Sequence, residues 1–201
     1  DAYQKANAQV EELVQALIIR IGEFDSSILG HTPEALIFKL VRDPRFGHNR
    51  TPYNPAFRAH ISPMGKLPIP VGYYLVLKPG GQSFLGGGLF ADMFKDATRM
   101  VRDYIATHGV EWEEMITAPS FQEHFIVGGS MLKNVPADYD PDHPQAEHLK
   151  YKSWYLKYPI QDTELMDVEA LLATATDIFR LMKPFNDYLN RALVGFKMPK
   201  K

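Results

Sequence analysis

Cysteine is absent from this chain of 201 residues, and its absence excludes several kinds of site. Thiol nucleophiles, zinc sites built on thiolates and iron–sulfur clusters all need cysteine side chains. Because disulfides are impossible, the composition also favours a reducing compartment, and we expect a cytoplasmic protein. We expect neither a bound metal nor a cofactor.

Long hydrophobic runs are missing as well. The apolar runs fall far short of the roughly 18 residues that indicate a membrane span, and the N-terminus has no apolar signal core. We therefore expect no membrane segment. The first residues, Asp1 to Lys5, resemble the interior of a helix, so we expect the natural chain to extend a short way upstream.

A strong overall charge is the third missing feature. The formal net charge is −2 and the pI is near 6.4, so no global field attracts nucleic acid or anionic lipid. Nucleic acid is therefore disfavoured as a partner, and an anionic ligand would need a local basic patch. The composition carries no signal of oligomeric state.

Three stretches share an apolar repeat of three or four positions, which predicts long N-terminal, central and C-terminal helices. They are Val10 to Ile21, Met93 to Ile105 and Val168 to Leu193. We predict that Asp92 caps the central helix at its start and that Gly109 ends it. Pro184 is predicted to kink or break the last helix.

Period-two patterns and turn residues predict the strands. Phe57 to Ile61 alternates apolar and polar residues, which places Arg58 and His60 on the outward face of a half-buried strand. Further strands are predicted at Gly72–Lys78 and Gln82–Leu89, which flank the turn Pro79-Gly80-Gly81, and at Phe125–Val127 and Trp154–Ile160. Ile37–Val41 is compatible with a short helix or a buried strand.

The order of these elements predicts an α+β fold, because it lacks the regular strand–helix alternation of a doubly wound protein. We expect a single domain over residues 1–201. Its sheet should be mostly antiparallel, contain the glycine-rich hairpin, and pack against the three long helices.

The strongest functional signal is a basic stretch. Between Lys39 and His60 there are five Lys or Arg and one acid, a local charge of about +4. Guanidinium groups bind phosphates and carboxylates through paired hydrogen bonds, so the stretch predicts a cleft for a small anionic ligand. The predicted ligand-binding residues are Arg42, Arg45, Arg50, Tyr53, Arg58 and His60. In the alternative interpretation, Asp43 pairs with a neighbouring arginine and the rest lie in solvent.

Two further segments have a chemical and a structural interpretation. Gly86-Gly87-Gly88 could let backbone amides approach an anion, but close packing in a hairpin is the favoured explanation. Asp138, Asp140, Asp142 and His143 superficially suggest metal ligands. They lack the spacing of an EF-hand or a helical zinc site, so a turn capped by Asx side chains is favoured.

Several motifs occur in the same order as in one known family. They are Arg42-Asp43-Pro44-Arg45-Phe46, Thr51-Pro52-Tyr53, the hairpin from Gly72 to Gly81 with Gly86-Gly87-Gly88-Leu89, Leu132-Lys133 and Asp142-His143-Pro144. On these motifs the chain resembles the largely bacterial family catalogued as domain of unknown function 2461. The resemblance implies a compact α+β domain and brings no reaction, cofactor or catalytic residue with it.

The chain departs from that family's pattern at two places. The family has an acid–lysine pair before the Thr-Pro-Tyr motif and a lysine after it, whereas this chain has Asn49-Arg50 and Asn54. Arg50 retains the positive charge of the family's first lysine, whereas Asn54 lacks the positive charge of the second. The family's upstream Trp-Phe segment would precede Asp1.

Three hypotheses follow from the sequence. The first is a domain that binds a small phosphate- or carboxylate-bearing ligand in the arginine-lined cleft. The second is a hydrolase-like enzyme that uses Asp43 or His60 as acid or base, which requires a buried group with a shifted pKa beside a pocket. The third is a protein–protein interaction or structural module.

Overall fold

A computed structural model describes residues 2–40 and 56–199 of the chain. Within these residues it contains seven α-helices and a four-stranded antiparallel sheet, which confirms the predicted α+β class. The described residues fall into two compact units. The organisation as one domain over residues 1–201 stays a prediction.

The helices are α1 (Ala2–Gly22), α2 (Pro33–Leu36), α3 (Lys95–Thr107), α4 (Gly109–Thr117), α5 (Pro119–Gln122), α6 (Ala146–Leu149) and α7 (Val168–Ala192). The strands are β1 (Phe57–Ile61), β2 (Gly72–Leu77), β3 (Ser83–Leu89) and β4 (Trp154–Ile160), in the sheet order β1-β2-β3-β4. Short 3-10 helices span Ser26–Ile28 and Asp162–Met166.

The first unit takes its described residues from Asp1–Leu67, Tyr73–Gly86 and Tyr158–Arg180. The apolar repeat of α1 buries Leu17 and Ile21 completely, as the helical periodicity predicted. β1 and β2 pair antiparallel, with Ala59 opposite Leu75. Ile37 forms a bridge to Ala59, so this residue is extended rather than helical.

The second unit takes its described residues from Pro68–Gly72, Gly87–Lys157 and Leu181–Lys201. Its core is aromatic: Trp112, Trp154, Phe185 and Tyr188 have no exposed surface. One of their polar atoms is hydrogen-bonded inside the unit: the Tyr188 hydroxyl donates to the His108 carbonyl at 3.1 Å. The large rings therefore form a substantial part of the apolar core of this unit.

The predicted start of the central helix is wrong, and its end lies next to Gly109 as predicted, although the glycine has another role there. α3 begins at Lys95, because the Asp92 carboxylate instead accepts a hydrogen bond from the Ser130 hydroxyl at 2.8 Å. α3 ends at Thr107, and Gly109 is the first residue of α4. A Cβ at Gly109 would lie 3.0 Å from the Gln145 Cγ, so the glycine serves close packing there rather than helix termination.

One further expectation fails, and another fails in part: α7 does not break at Pro184, while a kink there stays a prediction. α7 continues through Pro184 to Ala192, since the flanking Met182 and Phe185 are fully buried and their packing offsets the roughly 3 kcal/mol that an internal proline costs. Phe125–Val127 is not a strand, and Ile126 is 87% exposed. In this region pairing is limited, within the described residues, to isolated bridges, one of them between Gly128 and Tyr155.

Candidate functional site

The predicted site is only partly within the described residues. Outside them lie Arg42, Arg45, Arg50, Tyr53 and the predicted acid Asp43. Arg58 and His60 are described, and both lie on β1 of the first unit. The strand places these two side chains in very different environments.

Arg58 is exposed, and an aromatic ring holds its guanidinium group. The guanidinium carbon lies 5.2 Å from the centre of the Phe38 ring, and the Arg58 carbonyl accepts from the Phe38 amide at 2.8 Å. Within residues 2–40 and 56–199 no carboxylate forms an ion pair with Arg58. The ring therefore orients the group, and no carboxylate of the described residues neutralises its positive charge.

His60 is completely buried, so the predicted outward position is wrong. Its ring stacks on Tyr74 with centroids 3.9 Å apart and planes 8° apart. Neither ring nitrogen has a hydrogen-bond partner in the described part of the chain. Burial lowers the pKa of His60 to about 3, and the nearby backbone groups of Leu67 and Gly65 offset only part of that shift.

A His60 ring with this pKa is neutral at physiological pH. A general acid or base works best with a pKa near the working pH, so His60 is poorly suited to either role. Burial also raises the pKa of Tyr74, and the stacked pair as a whole is uncharged. The geometry makes His60 a packing partner of β2, and a role as acid or base stays a prediction.

The glycine-rich turn of the predicted hairpin does bind an anionic group, and the chain supplies it. The Gly80 and Gly81 amides donate to the two carboxylate oxygens of Asp162 at 2.8 and 3.0 Å. Both glycines have positive φ, 87° and 69°, a conformation that turns successive N–H groups toward one side. Sequence reasoning missed Asp162 because it lies 82 positions from Gly80.

We expect the substitution Asp162→Ala to lower the free energy of unfolding by about 1–2 kcal/mol, because two amides lose a charged acceptor. The site is exposed, so water replaces part of the lost interaction. Urea denaturation measures the effect. Asp177→Ala, which also removes an exposed carboxylate of the first unit, should change stability by less than about 0.5 kcal/mol, and equal losses in both variants would contradict this role.

The remaining glycines of the hairpin confirm the packing interpretation. Gly86, Gly87 and Gly88 are buried residues of β3. A Cβ at Gly87 would lie 3.0 Å from the Met182 sulfur. Gly87 and Gly88 therefore admit neighbouring atoms rather than a ligand.

The acidic loop is a turn capped by a side chain, as favoured from the sequence. The Asp140 carboxylate accepts from the Asp142 amide at 2.9 Å, which is an Asx turn. His143 is engaged through its Nε2 and the Ala106 carbonyl, 3.1 Å apart. Among the residues that the structure describes, no group of three or more potential metal ligands comes together.

Fold and sequence similarity together define the class of protein. The described helices and antiparallel sheet are those of an α+β protein, and none of these helices has the length and apolar character to cross a bilayer. The chain belongs to the family described as Conserved hypothetical protein (DUF2461), whose profile matches residues 1–188. Comparisons with the curated proteins and with the solved structures found no match.

Proposed function

We propose that this protein binds a small anionic ligand, bearing a phosphate or carboxylate group, beside strand β1. Arg58 is the described contact. The other proposed contacts belong to the basic stretch that precedes it: Arg42, Arg45, Arg50 and Tyr53. The observation that carries the proposal is the exposed Arg58 guanidinium, which is held against Phe38 and has no carboxylate partner among the described residues.

The charge distribution supports an anion as the ligand. Lys39 is exposed next to Phe38, and the stretch from Lys39 to His60 has five basic residues against one acid. An exposed arginine that forms no specific contact normally contributes little to the stability of the fold. Contact with Phe38 reduces the number of conformations of the Arg58 side chain, so less entropy is lost when the planar guanidinium binds two ligand oxygens.

His60 contributes to the proposed site from below the surface. Its flat contact with Tyr74 ties β1 to β2 two cross-strand pairs along from that of Arg58 and Val76. A strand held in this way keeps the Cα of Arg58 in place while the ligand binds. Direct contact between His60 and a ligand stays a prediction.

The test is the melting temperature of the protein in a panel of phosphorylated and carboxylated metabolites, with inorganic phosphate included. A ligand at one hundred times its Kd should stabilise the native state by about 2.7 kcal/mol. The substitution Arg58→Ala should weaken binding of any positive ligand roughly tenfold or more, because a charge-assisted hydrogen bond is lost.

Arg180→Ala is the matched control. The Arg180 guanidinium also lies 5.2 Å from the centre of an aromatic ring, that of Phe24, but it pairs with Asp177 at 3.8 Å. This variant should bind the ligand as the original protein does. The proposal is wrong if no member of the panel raises the melting temperature, or if both variants lose affinity equally.

A further inference from the structure

The second unit contains a hollow of about 360 Å³ whose wall is built from residues of α4, α5 and α6 and of the segments that follow α5 and α6. Its volume lies within the range of small-ligand sites. Among the described residues that line it there is no lysine, arginine, aspartate or glutamate. An ion that entered would lose part of its hydration without meeting an opposite charge, so the hollow favours a neutral guest.

Aromatic rings make up a large part of this wall. The rings of Phe121 and Phe125 meet edge to face, with centroids 5.4 Å apart. The rings of His148 and Tyr151 are nearly parallel, with planes 13° apart. Ile126, which also lines the hollow, is 87% exposed, so its apolar surface is in water. A flat, apolar guest would cover Ile126 and make ring–ring contacts, and both effects favour binding.

His148 places a polar atom in this apolar wall. Its Nδ1 has no accessible surface, so a guest cannot reach that nitrogen. Nε2 is not buried in this way, and it forms no hydrogen bond within the described residues. Burial lowers the pKa of His148, and Glu113 and Glu147 oppose that shift without cancelling it. The ring is therefore neutral at physiological pH, and Nε2 is the nitrogen that a guest can contact.

The neutral ring of His148 selects the head group of the guest. A neutral imidazole has one nitrogen that donates and one that accepts, and no hydrogen bond of the described residues fixes which is which in His148. A hydroxyl group matches both tautomers, because it can donate to Nε2 or accept from it. A carbonyl or ether oxygen only accepts. The Tyr151 hydroxyl is already engaged, since it donates to the Val127 carbonyl at 3.3 Å.

We propose that this hollow binds a small neutral phenol. The phenol ring would lie against Phe121, Phe125 and Ile126, and its hydroxyl group would form a hydrogen bond with His148 Nε2. The site is independent of the proposed anion site at Arg58. The two sites share no residue and lie in different units, so either proposal stands without the other.

Titration of the full ¹⁵N-labelled chain with phenol, toluene and cyclohexanol, followed by NMR, tests the proposal. We expect phenol to bind most tightly and to shift the amide signals of Ile126 and Val127. Toluene lacks the hydroxyl group and should bind roughly two- to tenfold more weakly, the effect of one neutral hydrogen bond. Cyclohexanol lacks the aromatic ring and should be weaker by a similar factor of roughly two to ten.

Benzoate separates this site from the proposed anion site. It has the ring of phenol and a negative charge, so it should leave the Ile126 and Val127 signals unchanged even if it binds at Arg58. Equal affinities for phenol and toluene would overturn the proposal. A titration in which no probe shifts the two signals would overturn it as well.

A pair of histidine variants locates the polar contact. His148→Phe keeps a flat ring but removes both nitrogens, so the ratio of phenol affinity to toluene affinity should fall to about one. A general loss of stability would weaken both probes together and would not change this ratio. His124→Phe is the matched control, because the His124 ring lies 6.0 Å from that of Phe125 but is outside the lining. The proposal is wrong if the ratio survives in His148→Phe, or if both variants abolish it.

Discussion

Replacement of Gly88 by alanine is expected to lower the free energy of unfolding by roughly 2–5 kcal/mol. Two separate costs add at this position. The φ angle of Gly88 is +86°, in the left-handed region where a Cβ costs about 1–2 kcal/mol. The added Cβ would also lie only 2.4 Å from the Trp154 carbonyl oxygen and 2.6 Å from the Phe185 ring, which adds about 1–3 kcal/mol of overpacking.

The neighbours of Gly88 have little room to yield. One is a backbone carbonyl, and Phe185 has no exposed surface. A flexible surface side chain would move aside, whereas a peptide group of β4 and a core ring move only with their surroundings. The steric part of the cost should therefore persist in the folded variant.

Gly80→Ala separates the two costs. Gly80 has nearly the same φ, +87°, but nothing lies within 4 Å of the position of its Cβ. This variant should lose only about 1–2 kcal/mol from backbone strain. Urea denaturation of both variants gives the difference, and a loss at Gly88 no larger than that at Gly80 would show that the close packing contributes nothing.

The second large effect is expected for Asn186→Ala, with a loss of about 2–4 kcal/mol. The Asn186 Oδ1 accepts from the Gly88 amide at 2.7 Å, and its Nδ2 donates to the Gly72 carbonyl at 3.1 Å. Asn186 is only 2% exposed. Alanine would leave a buried donor and a buried acceptor without partners, and each such group costs about 1–3 kcal/mol.

Asn190 provides the matched comparison one helical turn later. It makes the same pair of contacts, with Oδ1 and Nδ2 at 2.8 and 3.0 Å from the Val71 amide and carbonyl. Asn190 is half-buried, so water can reach the groups that Asn190→Ala exposes. This variant should lose about 1 kcal/mol, measured by the same urea titration.

A second substitution at the same position, Asn186→Asp, tests which atom of the Asn186 amide carries the effect. Asn186→Asp keeps an acceptor for the Gly88 amide but turns a donor toward Gly72 into a second acceptor. This variant should be at least as unstable as Asn186→Ala at neutral pH. It leaves the Gly72 carbonyl without a donor and also buries a charged carboxylate. If Asn186→Ala and Asn190→Ala lose equal stability, burial is not the cause of the larger effect.

Much of the fold followed from local patterns. The apolar repeats of α1 and α7 each bury one helix face, and a period of 3.6 residues needs only about a dozen positions to be recognised. The two glycines of the β2–β3 turn likewise predicted a hairpin, since a short loop with positive φ values needs them. Helix ends were less predictable: Asp92 has the right chemistry for a cap, but Ser130 and Lys152 compete for it.

The chemical character of the candidate site could be predicted from the sequence, but the positions of its side chains could be predicted only in part. The excess of basic residues from Lys39 to His60 is a local property of the sequence. The contact of Arg58 with Phe38 and the burial of His60 depend on how β1 pairs with its neighbours. Alternation places residues on one face of a strand, but it does not say whether another element covers that face.

Local sequence patterns were thus sufficient to predict the α+β class, the long helices and the hairpin, and to recognise the family motifs. Each of these depends on residues that are close together in the chain. The hydrogen-bond partners of polar groups that lie far apart in the chain could not be predicted in this way. Asn186 lies 98 positions from Gly88, and Asp162 lies 81 positions from Gly81. Such pairs are selected by packing in the folded state, and no short-range pattern in the chain encodes them.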